Sequence, residues 1–413
     1  MPAQRAIEAS PGDTASDAAS PERWMELRSL EAIEDRRADL QRLWERSPLR
    51  TPNAQIDRYL ATTAALAPAQ QPWVSLLVDD GEQPVVALLG RTLLRKAGAT
   101  LGYLRFSAVR VRALDVVYGG ALGELTPQRC AACCQRLGAV LRSGAVHSVQ
   151  FNHLETESPL AAAIESHPAT RSLARLRAHE DVHLFCQLLP RSDKGFVDRL
   201  SSKHRYNLRR AERLLAEEAG GPTTFKRVET TAAVDDFVKR AAQVAARSWQ
   251  ARIGAAFADT PLWRSGLTCE ATHGRLRAYL LEAGGRPVAY QIGAVHDGVY
   301  FLEVVGYDPD FARHSPGRLL LVKTLDDLER EGVGVFDFGF GDASYKRIYA
   351  TGARQEALVS LFGPGLRPRM AWLSSAAGER LRRGAREAAA KRGALGLVKR
   401  LWRTSLLRKR SKR

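Results

Sequence analysis

Apolar positions recur along this chain at two periods that alternate. Around 35–46 and 54–66 they fall at helical spacing, whereas 73–78 and 84–89 read as strands joined through the turn sequence Asp79-Asp80-Gly81. Short strand-like runs at 101–106 and 115–118 precede a helical pattern at 127–141, and runs at 147–153 and 182–188 close the first half. The second half opens with a helix over 196–218, in which Val197, Leu200, His204, Leu208, Ala211 and Leu215 share one face. Helices over 232–248 and 262–273 follow, with 252–260 expected as a loop over a cleft. Such alternation predicts an α/β protein.

The stretch 298–346 is the most explicit. Residues 300–305 are rich in β-branched and aromatic side chains with Glu303 the one charge, as in a strand covered on both faces. Ser315 stands where it would cap a helix, Pro316 at the first helical position, Gly317 behind it, and Gly332 where the helix would stop. Residues 333–338 then re-enter the sheet. A strand-helix-strand crossover makes the strands parallel and leaves the helix N-terminus at their carboxyl ends. Backbone N–H groups of Gly317, Arg318 and Leu319 would face an anion there, with Arg318 adding a charge; Pro316 lacks a donor. An ordinary well-capped βαβ unit would carry the same residues.

The strand, the Ser-Pro-Gly-Arg-Leu-Leu loop at 315–320, the helix, Asp-Phe-Gly-Phe-Gly-Asp at 337–342 and Tyr345-Lys346 resemble the GNAT acyltransferase fold in its cellulose-biosynthesis (CelD-like or BioF2-like) branch, which is related to the FemAB transferases. The likeness covers 195–362 well and the earlier half loosely. It implies an acyl-coenzyme A donor, acetyl-CoA first among them, with the pyrophosphate at Ser315, Pro316, Gly317, Arg318 and Leu319. The general loop is Gln/Arg-x-x-Gly-x-Gly/Ala; counted from Arg313, its first glycine is Pro316 here and Gly317 follows one later. Tyr345-Lys346 is similar to the Phe-Lys pair of FemAB domains, whose lysine faces the substrate pocket. The hairpin 76–87 also resembles 279–289, each with a return strand that starts near a proline. The expected fold is therefore tandem GNAT-like domains of mixed twisted sheets flanked by helices: a disordered leader over 1–22, an N-terminal domain without a donor site over 23–192, a catalytic domain over 193–363, and a basic amphipathic tail over 364–413.

Charge refines this picture. The net charge is +17, but 366–413 hold 16 Lys and Arg against 2 Glu, so the remaining 46 basic and 43 acidic residues leave a body near neutrality. Nucleic acid is therefore not an expected partner, except tRNA under the alternative below. The stretch 395–407 is basic and amphipathic with Trp402, as in helices that lie on anionic membranes. No apolar run approaches the roughly 18 residues of a membrane span, and no signal segment is evident at the N-terminus, so a cytoplasmic location is expected, peripheral at the inner face of the membrane. Of the five cysteines, Cys130, Cys133 and Cys134 lie together in the helical pattern at 127–141, Cys130 and Cys133 at CxxC spacing, and all five read as reduced thiols.

Acyl transfer to an amine or hydroxyl needs a held donor, an oxyanion stabiliser and a proton route. Glu303 is a candidate base, or alternatively a structural carboxylate paired with an arginine; Asp342 and Tyr345 are further candidates for the proton, and Lys346 for a phosphate or acceptor anion. Lys203, Arg205 and Arg209 would wall an anionic acceptor site, or form a solvated face. His179-Glu180-x-x-His183 is set aside as a zinc pattern because 182–188 reads as strand, and Asp337-Phe338-Gly339 as a kinase pattern because no Gly-rich loop accompanies it; no metal is expected. The expected function is acyl transfer to a glycan, cell-envelope or exopolysaccharide component or precursor. Alternatives are a FemAB-like transferase using aminoacyl-tRNA, and a non-catalytic assembly or membrane adaptor with the GNAT fold.

Overall fold

The computed structural model describes residues 23–101, 104–190, 192–248, 251, 256–341 and 343–391. The expected leader at 1–22, Asp342 and the amphipathic stretch 395–407 lie outside them.

Twelve strands form one sheet. In chain order they are β1 (Arg23–Leu27), β2 (Gln70–Val78), β3 (Pro84–Leu101), β4 (Leu104–Leu122), β5 (Ser148–Glu155), β6 (Ala174–Gln187), β7 (Thr223–Val228), β8 (Leu276–Ala283), β9 (Arg286–His296), β10 (Val299–Tyr307), β11 (Val335–Asp337) and β12 (Gly352–Phe362). Their spatial order is β1-β2-β3-β4-β5-β12-β6-β11-β10-β9-β8-β7. Read outward from the β12–β6 pair, the two halves have the same plan. Each runs through five strands of its own, and its last two are parallel and joined by a crossover helix, Pro127–Arg142 in the first half and Pro316–Glu331 in the second. Each is then flanked by a strand from the other half: β12 pairs with β5 of the first half, and β6 with β11 of the second. The tandem halves are thus sutured by an exchange of strands, and β12 and β6 pair from Gly352↔Phe185 to Phe362↔Ala174.

Strand alternation puts side chains on both faces. Val74, Leu76 and Val78 pack with Leu40, Leu43, Ile56 and Tyr59 of the early helices, while Trp73 and Leu77 pack with Cys133, Cys134 and Leu137 of the 127–142 helix. The strand segments read at 101–106 and 115–118 belong to the long β3–β4 hairpin, whose Arg- and Lys-rich middle masks its alternation. The helix expected over 196–218 is broken: Phe196–Arg199 ends at Leu200, and Ser201 caps a new helix, Ser202–Ala219, by accepting from the His204 N–H at 3.3 Å. The start of the basic tail is an ordered helix, Leu366–Lys391, seated on the sheet through buried Ala371, with Trp372 Nε1 donating to the Arg175 carbonyl at 2.9 Å. Among the described residues no helix is long and apolar enough to cross a membrane.

Candidate active site

The two parallel strands of the second half stay together only briefly. Val299–Phe301 pair with Val335–Asp337, after which β11 ends and β10 continues with a bulge at Glu303, the residue its register with β9 skips. Beyond Asp337 the chain turns through Gly339 (φ 66°), Phe340 and Gly341 (φ 84°). A Cβ on Gly339 would stand 2.6 Å from the Leu302 carbonyl oxygen, so glycine is what lets this loop close on β10. The splay holds a cavity of about 210 Å³, lined by Leu302, Glu303, Asp337 and Phe340 together with Tyr118 of the first half and Trp263.

In the first half the equivalent strands pair over Ala113–Val116 and Ser148–Phe151, and beyond them the Thr51 hydroxyl donates to the Tyr118 carbonyl at 2.5 Å. The helix starts differ as well. Thr126 caps the 127–142 helix by accepting from the Arg129 N–H at 3.3 Å. Ser315, expected to cap the 316–331 helix in that way, does not: it is left-handed (φ 51°, ψ 51°), and its side chain makes no capping hydrogen bond. A short 3₁₀ turn over Pro309–His314 delivers the chain in that conformation, so the Ser315 carbonyl, not the hydroxyl, accepts from Arg318 and Leu319. A Cβ on Gly317 would stand 3.3 Å from Tyr307 Cδ1, and Arg318 Nε is buried with no hydrogen-bond partner among the described residues.

A buried charge network occupies the suture. His183 on β6 meets Asp337 Oδ1 through Nε2 at 2.5 Å and Glu356 Oε2 through Nδ1 at 2.9 Å. Arg354 donates to Glu356 at 2.6 Å, to Asp337 at 2.8 Å and to the Tyr118 hydroxyl at 2.6 Å, and Tyr118 donates to Glu356 at 2.9 Å. Burial disfavours an imidazolium, but the hydrogen bonds it donates to Asp337 and Glu356 outweigh that and raise the His183 pKa. Burial likewise works against both carboxylates, and His183 and Arg354 hold them below their ordinary values. Two cations thus balance two anions. Asp337 Oδ1 also accepts from the Gly339 N–H at 2.8 Å, which ties the network to the Phe340 loop.

The remaining sequence candidates are distributed around this centre. Glu303 takes both arms of Arg58, at 2.5 Å each, so its oxygens are engaged as the arginine-paired alternative requires; it could act as a base only by releasing Arg58. Lys346 is buried and donates to the Gly339 and Phe340 carbonyls at 3.1 and 2.8 Å, pinning the loop from behind. Burial pushes the Tyr345 phenol up to about 12. Lys203 and Arg209 are exposed, and Arg205 is spent on the Asp198 carbonyl at 2.7 Å and on the Leu200 carbonyl. Tyr118, Arg58, Arg354 and Glu356 were missed by sequence reasoning. His183 was seen only inside a zinc-protease pattern, and Asp337 only as the first residue of the 337–342 motif and of a kinase pattern, without a role.

Residues 202–347 match the family model described as acetyltransferase (GNAT) domain. No curated protein matches the chain. Among solved structures, the chain is similar to FemX at a TM-score of 0.57 and 9% identity over 86% of this chain and 100% of that one. It also aligns with a tandem GNAT protein from the clavulanic acid biosynthesis pathway (TM-score 0.49, 12% identity, 83% and 100% covered). A third alignment is with the C-terminal domain of a lysylphosphatidylglycerol synthetase, so described, of Agrobacterium fabrum (0.49, 12%, 84% and 97%). The chain is an α/β protein of tandem GNAT-like halves, with a GNAT-type acetyltransferase domain matched over residues 202–347.

Proposed function

We propose that the chain transfers an acyl group, acetyl in the simplest case, from acyl-CoA to an amine or hydroxyl of a cell-envelope or exopolysaccharide component or precursor. The observation that carries this reading is the asymmetry between the halves. One crossover helix is closed by its own Thr126, while the other presents an uncapped start at Ser315, a glycine and a buried arginine nitrogen without a partner. Anions bind at such helix starts, where free N–H groups and the helix dipole act together. Arg318 and the N–H of Gly317 would hold the pyrophosphate, and the splay beyond Phe301 and Asp337 would admit the thioester arm. The matched family model supports the chemistry, and the capped helix start in the first half supports a single donor site.

Calorimetric titration with acetyl-CoA and longer acyl-CoA tests this. Binding is expected in the wild type and absent in Gly317→Glu, whose carboxylate would occupy the phosphate position. No binding of any acyl-CoA to folded wild type would overturn the acyl-CoA donor and leave aminoacyl-tRNA as the alternative.

The outer face of the Leu366–Lys391 helix supports a peripheral membrane seat. Leu366, Met370, Leu373 and Leu381 remain 45–74% exposed there, among Arg367, Arg369, Arg380 and Arg383. Sedimentation with phosphatidylglycerol vesicles is expected, with little binding to phosphatidylcholine alone, and it should be lost at ~1 M salt, where the screening length falls to about 3 Å. Equal binding to both vesicles would remove the electrostatic part of this reading.

A further inference from the structure

β12 has a bulge in each neighbour at nearly the same level. Opposite Leu358, β5 carries an extra residue between Phe151 and Leu154; opposite Ala357, β6 carries one between Ala178 and Asp181. Each bulge holds a histidine in the left-handed region, His153 at φ 55° and His179 at φ 48°. A non-glycine residue there costs roughly 1–3 kcal/mol, and bulges that re-aim side chains gather beside functional sites. Both histidines line one cavity of about 350 Å³, with Asp181, His183, Phe340 and Glu356. Among the described residues no group of three or more His, Cys, Asp or Glu is placed to hold a metal ion.

This cavity lies between two others. Across His183 and Phe340 it adjoins the splay of the second half. Across His179 and Leu358 it adjoins a trough of about 670 Å³ beneath the Leu366–Lys391 helix. The Phe340 ring divides the first pair: it stacks on His153 at 3.3 Å between centroids and meets Tyr118 edge-on at 5.0 Å. Its neighbours Gly339 and Gly341 are both left-handed, the backbone a swinging ring would use. The trough is polar and basic. Gln150, Ser360 and Ser375 offer amide and hydroxyl groups. Arg95 is paired with Asp115 and Arg382 with Glu379, while Lys96 has no carboxylate partner among the described residues.

We propose that the trough and the histidine cavity form the acyl-acceptor site, and that they take a hydroxyl-rich molecule bearing a phosphate or carboxylate. The inference rests on the acyl-transfer reading above and names its acceptor class. The acceptor lies under the 366–391 helix with its anionic group toward Lys96, and its amine or hydroxyl reaches the thioester past Phe340. His183 cannot receive its proton, since both ring nitrogens are taken by carboxylates. His153 is available: burial, against the pull of Glu356, holds it down to about 4, so the ring is neutral and accepts a hydrogen bond from the nucleophile. As the C–N or C–O bond forms the C–S bond breaks. Coenzyme A leaves as a thiolate that is then protonated, and the acceptor's proton passes by way of the His153 ring to water in the trough.

The test uses the full chain with glucosamine 6-phosphate, galacturonic acid and glucosamine, which bears no anionic group, as probes. Binding is read by saturation-transfer NMR, which needs no donor. At least one of the two anions should bind tenfold or more tightly than glucosamine, and which one does so separates phosphate from carboxylate recognition. Ser375→Trp, which fills the trough, should abolish that binding. Lys96→Glu, an exposed change that leaves folding intact, should weaken the anion tenfold and glucosamine little. Failure of both anions to bind, or binding indifferent to Ser375→Trp and Lys96→Glu, overturns the proposal. Should acetyl-CoA not bind while sugar binding keeps this sensitivity, the donor reading fails and the acceptor site stands.

Discussion

Arg58→Met is expected to cost about 3–5 kcal/mol, the range for removing one partner of a buried ion pair. Arg58 belongs to the first half, yet its partners are Glu270 at 3.2 Å and Glu303 at 2.5 Å, both of the second. Its side chain is 9% exposed and that of Glu270 1%, so the charges left behind have little access to water. Burial opposes ionisation of Glu270, but His296, Arg58 and Arg275 together hold its carboxyl down to about 2. Arg275 keeps its own contact with Glu270 at 2.9 Å, so the variant leaves Glu270 partly compensated and Glu303 bare. Since a folded protein has only about 5–15 kcal/mol in hand, the loss should lower the melting temperature by roughly 10 °C. Adding Glu303→Gln should restore a good part of it, because the stranded charge is then gone. If Arg58→Met melts with the wild type, the pair does not clamp the halves.

How much of this was legible in the sequence depends on the distance over which the information acts. The 316–331 helix could be read from its ends, since Pro316 and Gly332 act on their own backbone; Gly332 is left-handed at φ 102°, as a helix stop requires. Ser315 sits in the expected place but in another conformation, because the turn before it, set by tertiary packing, decides its backbone. The hairpin turning at Asp79 could be read, yet β12 could not: its partners β5 and β6 lie far back in the chain, and its burial comes from that pairing rather than from an apolar run. The same holds for charges. Glu303 was identifiable as a charge in a strand, but its partner is 245 residues away. His183 and Asp337, 154 residues apart, each fell in a motif match whose local geometry was wrong for that motif, and only the strand exchange brings them together.

His183→Gln should change the pH dependence of stability as well as its size. The His183 pKa is raised above its ordinary 6.5, so its contribution is complete below about that pH and is lost as pH rises through the raised value. Asp337 and Glu356 are lowered from 3.8 and 4.5, so theirs is complete above those values and lost as pH falls through the depressed ones. The wild-type network is therefore most stabilising between about pH 4.5 and 6.5. In His183→Gln one cation is gone and Arg354 alone faces two buried carboxylates, a loss of about 3–5 kcal/mol near pH 6 by the same reasoning as for Arg58. The alkaline decline due to His183 should vanish, so the melting-temperature gap between wild type and variant narrows toward high pH. It should narrow again toward low pH, where protonating one carboxylate relieves the unbalanced charge. A gap that stays constant from pH 5 to 9 would mean that His183 is not an imidazolium in the fold. Because Asp337 also holds the Gly339 N–H, a loosened network frees the loop that carries Phe340. If the proposed acyl-CoA donor holds, the variant should then lose transfer activity more than acyl-CoA binding, since the 316–331 helix start makes no contact with His183 among the described hydrogen bonds.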